Sequence, residues 1–136
     1  MSKIFLKKSQ LAELIAHSRA TYPEEACGVL AGKDGIVNKI YKTKNISPTP
    51  ATRYFVDPQE QLKIFKEMEK DGLEMLGIYH SHTGTSAYPS ATDLELAFYP
   101  DVSYLIISLA NPEKPVIRSY SITEGKIKEG EVEIND

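Results

Sequence analysis

Cysteine is almost missing from this chain of 136 residues, in which Cys27 is the single thiol. One cysteine cannot form an internal disulfide, and it cannot supply a zinc site built from several thiolates. Long hydrophobic runs are also lacking, and Lys3 and Lys7 interrupt the start of the chain before the apolar core of a signal peptide could form. We therefore expect a cytoplasmic protein without a membrane partner.

An excess of positive charge is lacking as well. Sixteen lysines and arginines stand against nineteen aspartates and glutamates, so the net charge is −3. Nucleic-acid binding depends on a basic surface, and we expect no nucleic-acid partner here. Hydrophobic residues make up 41% and charged residues 26%, which is typical of a folded globular chain. The length fits one domain over residues 1–136 with one core.

Two longer helices are predicted from the spacing of apolar residues and from their caps. The first should cover residues 10–20, with Ser9 as its N-cap. The second should start after Asp57, which suits an N-cap, and end at Gly72. Its buried stripe is expected to consist of three residues: Leu62, Phe65 and Met68.

Strand patterns alternate with these helices along the chain. Apolar runs and turn residues predict strands over residues 25–31, 36–42, 75–82, 102–110 and 115–122, and a third helix over residues 90–100. The charged tail from about residue 124 is expected to be peripheral. This interleaving predicts a single-domain α/β or α+β sandwich with a mixed sheet flanked by helices.

The residues with the most chemistry lie between positions 80 and 93. His80 and His82 are two apart in a predicted strand, so their imidazoles lie on the same face and can provide two ligands of a tetrahedral metal site. Asp93, on the first turn of the next helix, is the candidate third ligand. The alternative is that the histidines are ordinary partly buried side chains and that Ser90 and Asp93 form a capping box without a metal.

A hydrolytic metal site also requires a proton acceptor. Glu24 and Glu25 are the candidates, because both lie where a predicted strand starts after Pro23. Cys27 is interpreted as a small buried side chain, since nothing in the sequence places a base beside it. His17 is expected on the solvent side of the first helix.

Taken together, these positions resemble a known motif. Glu25-x-x-Gly28 followed downstream by His80-x-His82, Ser90 and Asp93 is similar to the JAMM motif of the MPN-domain (Mov34/JAB) metallopeptidases. The resemblance implies the cytidine-deaminase-like α/β sandwich of that family. Glu24 matches nothing in the motif.

The resemblance also implies a role for each matching residue. His80, His82 and Asp93 would bind one Zn²⁺ per chain. Glu25 would be the general acid/base, and Ser90 would donate its hydroxyl to the developing oxyanion.

Thr83 stands where many members of the family have proline after the second motif histidine. The sequence around Thr83 resembles that of small prokaryotic members that act on ubiquitin-like sulfur-carrier proteins and release cysteine from the carrier. The resemblance implies a peptidase or isopeptidase that cleaves after the C-terminal Gly-Gly of such a carrier. An extended tail of this kind would pair with an exposed strand or with the loop of residues 47–52.

Three other functions are alternatives to this one. A non-catalytic MPN scaffold usually lacks part of the motif, and an isopeptidase resembling JAMM deubiquitinases would act on protein conjugates. A zinc deaminase would require His-x-Glu and a pair of cysteines, which one cysteine excludes. No prediction follows from the sequence for the oligomeric state.

Overall fold

The computed structural model describes residues 3–136. Within this range three helices accompany a mixed sheet of seven strands, which closes into a barrel in the order β1-β3-β2-β4-β5-β6-β7. The elements in chain order are β1 Lys3–Lys7, α1 Lys8–Thr21, β2 Cys27–Lys33, β3 Ile36–Thr43, α2 Pro58–Asp71, β4 Glu74–His82, α3 Ala91–Glu95, β5 Ser103–Ser108, β6 Val116–Thr123 and β7 Lys126–Asn135. In this part of the chain, no helix is long and apolar enough to cross a membrane. The predicted single-domain α/β architecture with a mixed sheet is confirmed.

Strand β4 lies in the middle of the sheet and carries both histidines of the motif. It pairs antiparallel with β2, where His80 is opposite Cys27, and parallel with β5, where His82 is opposite Ser108. Side chains from Gly77 to His82 are buried on both faces. The end of β4 is therefore held by a strand on each side and covered by other elements.

Gly28 of the motif is required by close packing between β2 and β4. A Cβ atom at this position would overlap the ring of Tyr79 and the carbonyl oxygen of Tyr41. Tyr79 is fully buried in the cluster that also contains Leu14 of α1 and Leu105 of β5. The absence of a side chain at Gly28 thus allows the aromatic ring to cross β2.

The N-terminal region differs from its prediction. Residues 3–7 form β1, which was not predicted, and α1 starts at Lys8 instead of residue 10. Ser9 lies inside the helix, so its assignment as N-cap was wrong. Lys7 takes the capping position, and its backbone N–H donates to Oε1 of Gln10 at 2.8 Å. Strand β1 leads directly into the helix, which moves the helix start toward the N-terminus.

Helix α2 confirms its predicted ends but not its whole buried face. Asp57 caps the helix by accepting the N–H of Gln59, and Gly72 ends it with a φ of 67°. Ile64 and Met68 are the residues buried against the barrel, whereas Leu62 is 56% exposed. Two residues correspond to a rotation of about 200° around a helix. Leu62 therefore lies opposite the face that Ile64 presents to the barrel.

Helix α3 is shorter than predicted and ends at Glu95. Ser90 is its N-cap, as expected. The chain from Leu96 to residue 100 is irregular. Within it the N–H of Phe98 donates to the carbonyl oxygen of Leu96, so the i→i−4 hydrogen bonds of a helix do not continue.

The charged tail is a strand of the barrel, and its prediction as a peripheral segment was wrong. Strand β7 pairs antiparallel with β6 and parallel with β1. Its apolar side chains, Ile127, Val132 and Ile134, are partly buried against the core. The polar residues between them face solvent, which explains why the segment has the composition of a tail.

Candidate metal centre

Two elements bring the three predicted ligands together. His80 and His82 are at the end of β4, and Asp93 lies in the first turn of α3. All three side chains are buried. Their ligand atoms lie within 4.8 Å of one another, and they form a group that could hold a metal ion.

The geometry of the triad fits a small divalent cation. Nε2 of His80 is 3.2 Å from Nε2 of His82, and Oδ2 of Asp93 is 3.1 Å from the former and 2.9 Å from the latter. Ligand atoms of a tetrahedral zinc site, with bonds near 2.0–2.1 Å, are about 3.4 Å apart. The three atoms are thus arranged for a shared ion with only a small outward adjustment.

Neighbouring groups fix the orientation of both imidazoles. Nδ1 of His82 lies 2.7 Å from the carbonyl oxygen of Ser86, and donation to this acceptor leaves the Nε2 lone pair for a ligand. The ring of His80 stacks on Tyr54, with centroids 4.3 Å apart and an interplanar angle of 20°. Tyr54 had not been assigned a part in the site, because nothing in the sequence relates its ring to a histidine in another element.

Burial and hydrogen bonds shift the pKa of each member of the triad. Burial lowers the pKa of His80 and favours its neutral form. Burial acts the same way on His82, but the hydrogen bond to Asp93 and that to Ser86 outweigh it and raise the pKa of His82. Burial alone would favour protonated Asp93, yet its hydrogen bonds to the two histidines hold the pKa of this carboxyl far below its usual range. These shifts favour an anionic Asp93 and a neutral His80, whereas the raised pKa of His82 favours a protonated ring, from which a metal would have to displace the proton.

The structure distinguishes the two candidate proton acceptors. Glu24 is exposed, whereas the side chain of Glu25 is buried, and its Oε1 has no hydrogen-bond partner within residues 3–136. Burial raises the pKa of Glu25 to about 7, with the charge of His82 opposing and that of Asp93 assisting this shift. A carboxyl group with such a pKa can exchange a proton near neutral pH.

One cavity of about 310 Å³ is lined by both Glu25 and His82 of the triad. His82 and Ser90 line it, together with Ala51, Thr52 and the residues Thr83, Gly84 and Thr85. Oγ of Ser90 accepts the N–H of Asp93 at 3.1 Å, and this bond does not use the hydroxyl hydrogen of the serine. The cavity is thus lined by a carboxyl, an imidazole and a hydroxyl group.

Two residues outside the motif were also assigned from sequence. Cys27 is buried, with Sγ 3.3 Å from Oγ1 of Thr43, and burial raises the pKa of its thiol to about 11. The interpretation as a small buried side chain is confirmed. His17 is half-buried and its Nδ1 lies 2.8 Å from the hydroxyl of Tyr79, so its assignment to the solvent side of α1 was wrong.

A buried His-His-Asp group that could hold a metal ion, with a carboxyl of raised pKa in the cavity that His82 lines, is the arrangement expected of a metal-dependent hydrolase. The chain belongs to the family of prokaryotic homologues of the JAB domain, whose model matches residues 7–123. The resemblance recognised from the motif is thereby confirmed.

Relatives and solved structures agree with this family. The chain is 42% identical over 125 residues to the CysO-cysteine peptidase of Mycobacterium tuberculosis, and the aligned region covers 89% of this chain and 84% of that peptidase. It is 32% identical over 123 residues to a probable TtuB-protein conjugate cleaving protease of Thermus thermophilus, and the aligned region covers 90% of this chain and 78% of that protease. The solution structure of DSY2949 from Desulfitobacterium hafniense has a TM-score of 0.89 at 45% identity and covers 98% and 93% of the two chains. The protein is a hydrolase of the peptidase class, and the scaffold alternative is not favoured.

Proposed function

We propose that the protein is a zinc peptidase that hydrolyses the bond after the C-terminal Gly-Gly of a ubiquitin-like sulfur carrier and so releases cysteine or a short extension. The observation that carries the proposal is the buried Glu25 carboxyl, which lines the same cavity as His82 and Ser90. The similarity to a CysO-cysteine peptidase supports this substrate class.

His80, His82 and Asp93 would hold the zinc ion. When bound, zinc would polarise the scissile carbonyl and lower the pKa of water. Two nitrogen ligands and one carboxylate are the set expected for a catalytic zinc site with a free fourth position. The neutral form of His80, favoured by burial, is the form that binds a metal.

Glu25 would transfer the proton in the reaction. It accepts a proton from the attacking water as the new C–O bond forms, and it gives this proton to the amine nitrogen as the C–N bond breaks. Its pKa of about 7 matches both steps near neutral pH. The Ser90 hydroxyl would donate a hydrogen bond to the carbonyl oxygen as negative charge develops there.

The walls of the cavity favour an extended tail of small residues. Ala51 and Thr52 form one wall, and the short segment at Gly84 forms another. Strand β4 is already paired on both sides, with β2 and β5. Of the two partners expected for the substrate backbone, the loop of residues 47–52 is therefore the better one. Glycines suit this approach because they bring no side chain against the cavity walls.

A second candidate function is cleavage of an isopeptide bond in a protein conjugate. The similarity to a probable TtuB-protein conjugate cleaving protease favours it. The same residues would perform the same chemistry, because the two reactions differ only in the amine that leaves. Leaving-group choice then depends on the outer part of the cavity near Thr85.

Mass spectrometry of two substrates tests both functions. One substrate is a ubiquitin-like carrier with cysteine after Gly-Gly, and the other is the same carrier joined to a lysine side chain. We expect the enzyme to trim the carrier back to Gly-Gly, a chelator to stop this reaction, and casein to remain intact. Glu25→Gln should lower turnover at least ~10²-fold with the metal retained, while the exposed Glu24→Gln control stays close to wild type. Intact carrier alongside chelator-sensitive cleavage of casein would contradict the carrier substrate.

A further inference from the structure

The side-chain amide of Asn45 links Glu25 to the loop between β3 and α2. Nδ2 of Asn45 donates to the carbonyl oxygen of Glu25 and to that of Arg53, each at 3.0 Å. It also lies 3.3 Å from the carbonyl oxygen of Pro50. The amide therefore connects the chain before β2 with two points of the loop.

The other end of the Asn45 amide organises the loop itself. Oδ1 accepts the backbone N–H of Ser47 and that of Phe55, each at 3.0 Å. Every neighbour of Nδ2 is an acceptor and both neighbours of Oδ1 are donors. A flipped amide would place like groups against each other at all of these contacts, so the hydrogen-bond network fixes its orientation.

Glu25 depends on this loop because the sheet does not hold its main chain. Strand β2 begins only at Cys27. The N–H of Glu25 donates to the carbonyl oxygen of Pro50 at 2.8 Å, and its carbonyl accepts from Asn45. Both main-chain polar groups of Glu25 thus bond to the loop. Because Oε1 of Glu25 has no hydrogen-bond partner in the described part of the chain, the place of its carboxyl depends on this backbone.

We infer that Asn45 is a positioning residue, which holds the Glu25 carboxyl in the cavity by clamping its backbone to the loop that forms the facing wall. Ala51 and Thr52 of the same loop line the cavity, so the clamp also sets the width between this wall and Glu25. The inference rests on the proposed role of Glu25 as general acid/base. Small displacements of a catalytic group cost large factors in rate, and an effect on turnover is expected although Asn45 does not touch substrate.

The variant Asn45→Asp tests this inference with little change of shape. It keeps an oxygen for Ser47 and Phe55 but turns the donor toward the three carbonyls into a second acceptor. We expect kcat to fall about tenfold or more while KM stays within about twofold and the bound metal remains. Ser47→Ala is the control, since it removes the hydroxyl that accepts the N–H of Thr49 in the same loop and leaves the contacts of Glu25 intact. A wild-type kcat in Asn45→Asp, or an equal loss in Ser47→Ala, would overturn the inference.

Amide hydrogen exchange of the metal-free protein gives a second readout that needs no activity. In Asn45→Asp the Glu25 amide should exchange faster, while the amides of β2 keep their protection. Unchanged exchange at Glu25 would overturn the clamp, and faster exchange throughout β2 would reduce Asn45 to a general stabilising residue. Full activity of Glu25→Gln would instead overturn the proposed role of Glu25, whatever the exchange data show.

Discussion

Ser90 and Asp93 each bond through their backbone to the side chain of the other. The N–H of Ser90 donates to Oδ2 of Asp93 at 2.9 Å, and the N–H of Asp93 donates to Oγ of Ser90 at 3.1 Å. The same Oδ2 atom lies 2.9 Å from Nε2 of His82. One carboxylate oxygen is therefore shared between the cap of α3 and the candidate metal centre, and the helix start determines where the ligand atom lies.

Two substitutions at Ser90 should separate the contribution of its hydroxyl to the N-cap of α3 from the proposed contribution of the same hydroxyl to catalysis. Ser90→Ala is expected to lower the free energy of unfolding by about 1 kcal/mol, whereas glycine at an N-cap costs only a few tenths. Both variants remove the proposed oxyanion donor, so both should turn over substrate more slowly. Thermal unfolding and initial rates check this. If Ser90→Gly turns over like wild type, the hydroxyl has no part in the chemistry.

Metal analysis should find about one zinc ion per chain. The pair of substitutions His80→Ala and His82→Ala should abolish binding, because it removes both nitrogen ligands of the triad. His17→Ala is the matched control, since His17 contacts Tyr79 outside the triad, and it should keep the metal. Zinc that survives the double substitution would contradict the site.

Metal affinity should also fall as the pH is lowered, because protons compete with the metal for the imidazole nitrogens. Titration of the zinc-loaded protein with acid, followed by dialysis and metal analysis, measures this. A zinc affinity that is the same at pH 5 and at pH 8 would contradict binding through His80 and His82.

Glu25 should make the stability of the metal-free protein depend on pH. Its pKa is about 7 in the folded protein against a usual value of 4.5, so the folded state binds the proton more strongly than the unfolded state. Stability should therefore fall as the pH rises from about 4.5 to about 7, by an amount on the order of 2 to 3 kcal/mol. Glu25→Gln should remove this dependence, and urea unfolding at pH 5 and pH 8 measures it. An unchanged difference in Glu25→Gln would assign the effect to another group.

Cys27 should react with thiol reagents only after the chain opens. Its side chain is buried, and burial raises the pKa of the thiol to about 11, so little thiolate is present at neutral pH. We expect slow labelling of the native protein, fast labelling in denaturant, and no inhibition of turnover by the reagent on the time scale of the assay. Rapid inactivation that correlates with one labelled thiol would contradict this expectation.

The elements near the site were predictable because their signals are local. Alternation along a strand places His80 and His82 on one face without knowledge of the fold. The caps at Asp57 and Ser90 are likewise defined by residues within one helical turn. The turn at Glu124 and Gly125, which joins β6 to β7 as a hairpin, is also a local signal, but the charged composition after it indicated a tail. The pairing of β7 with β1, from the other end of the chain, depends on the tertiary structure.

The candidate site residues could be predicted from the sequence, since alternation and capping act over a few residues. The burial of Glu25 rather than Glu24 could not be predicted, because it depends on a loop from another part of the chain that bonds to the Glu25 backbone. The tertiary structure also decided the stacking of Tyr54 on His80. Burial and distance are properties of packed elements, and the raised pKa of Glu25 follows from them and from no pattern in the sequence.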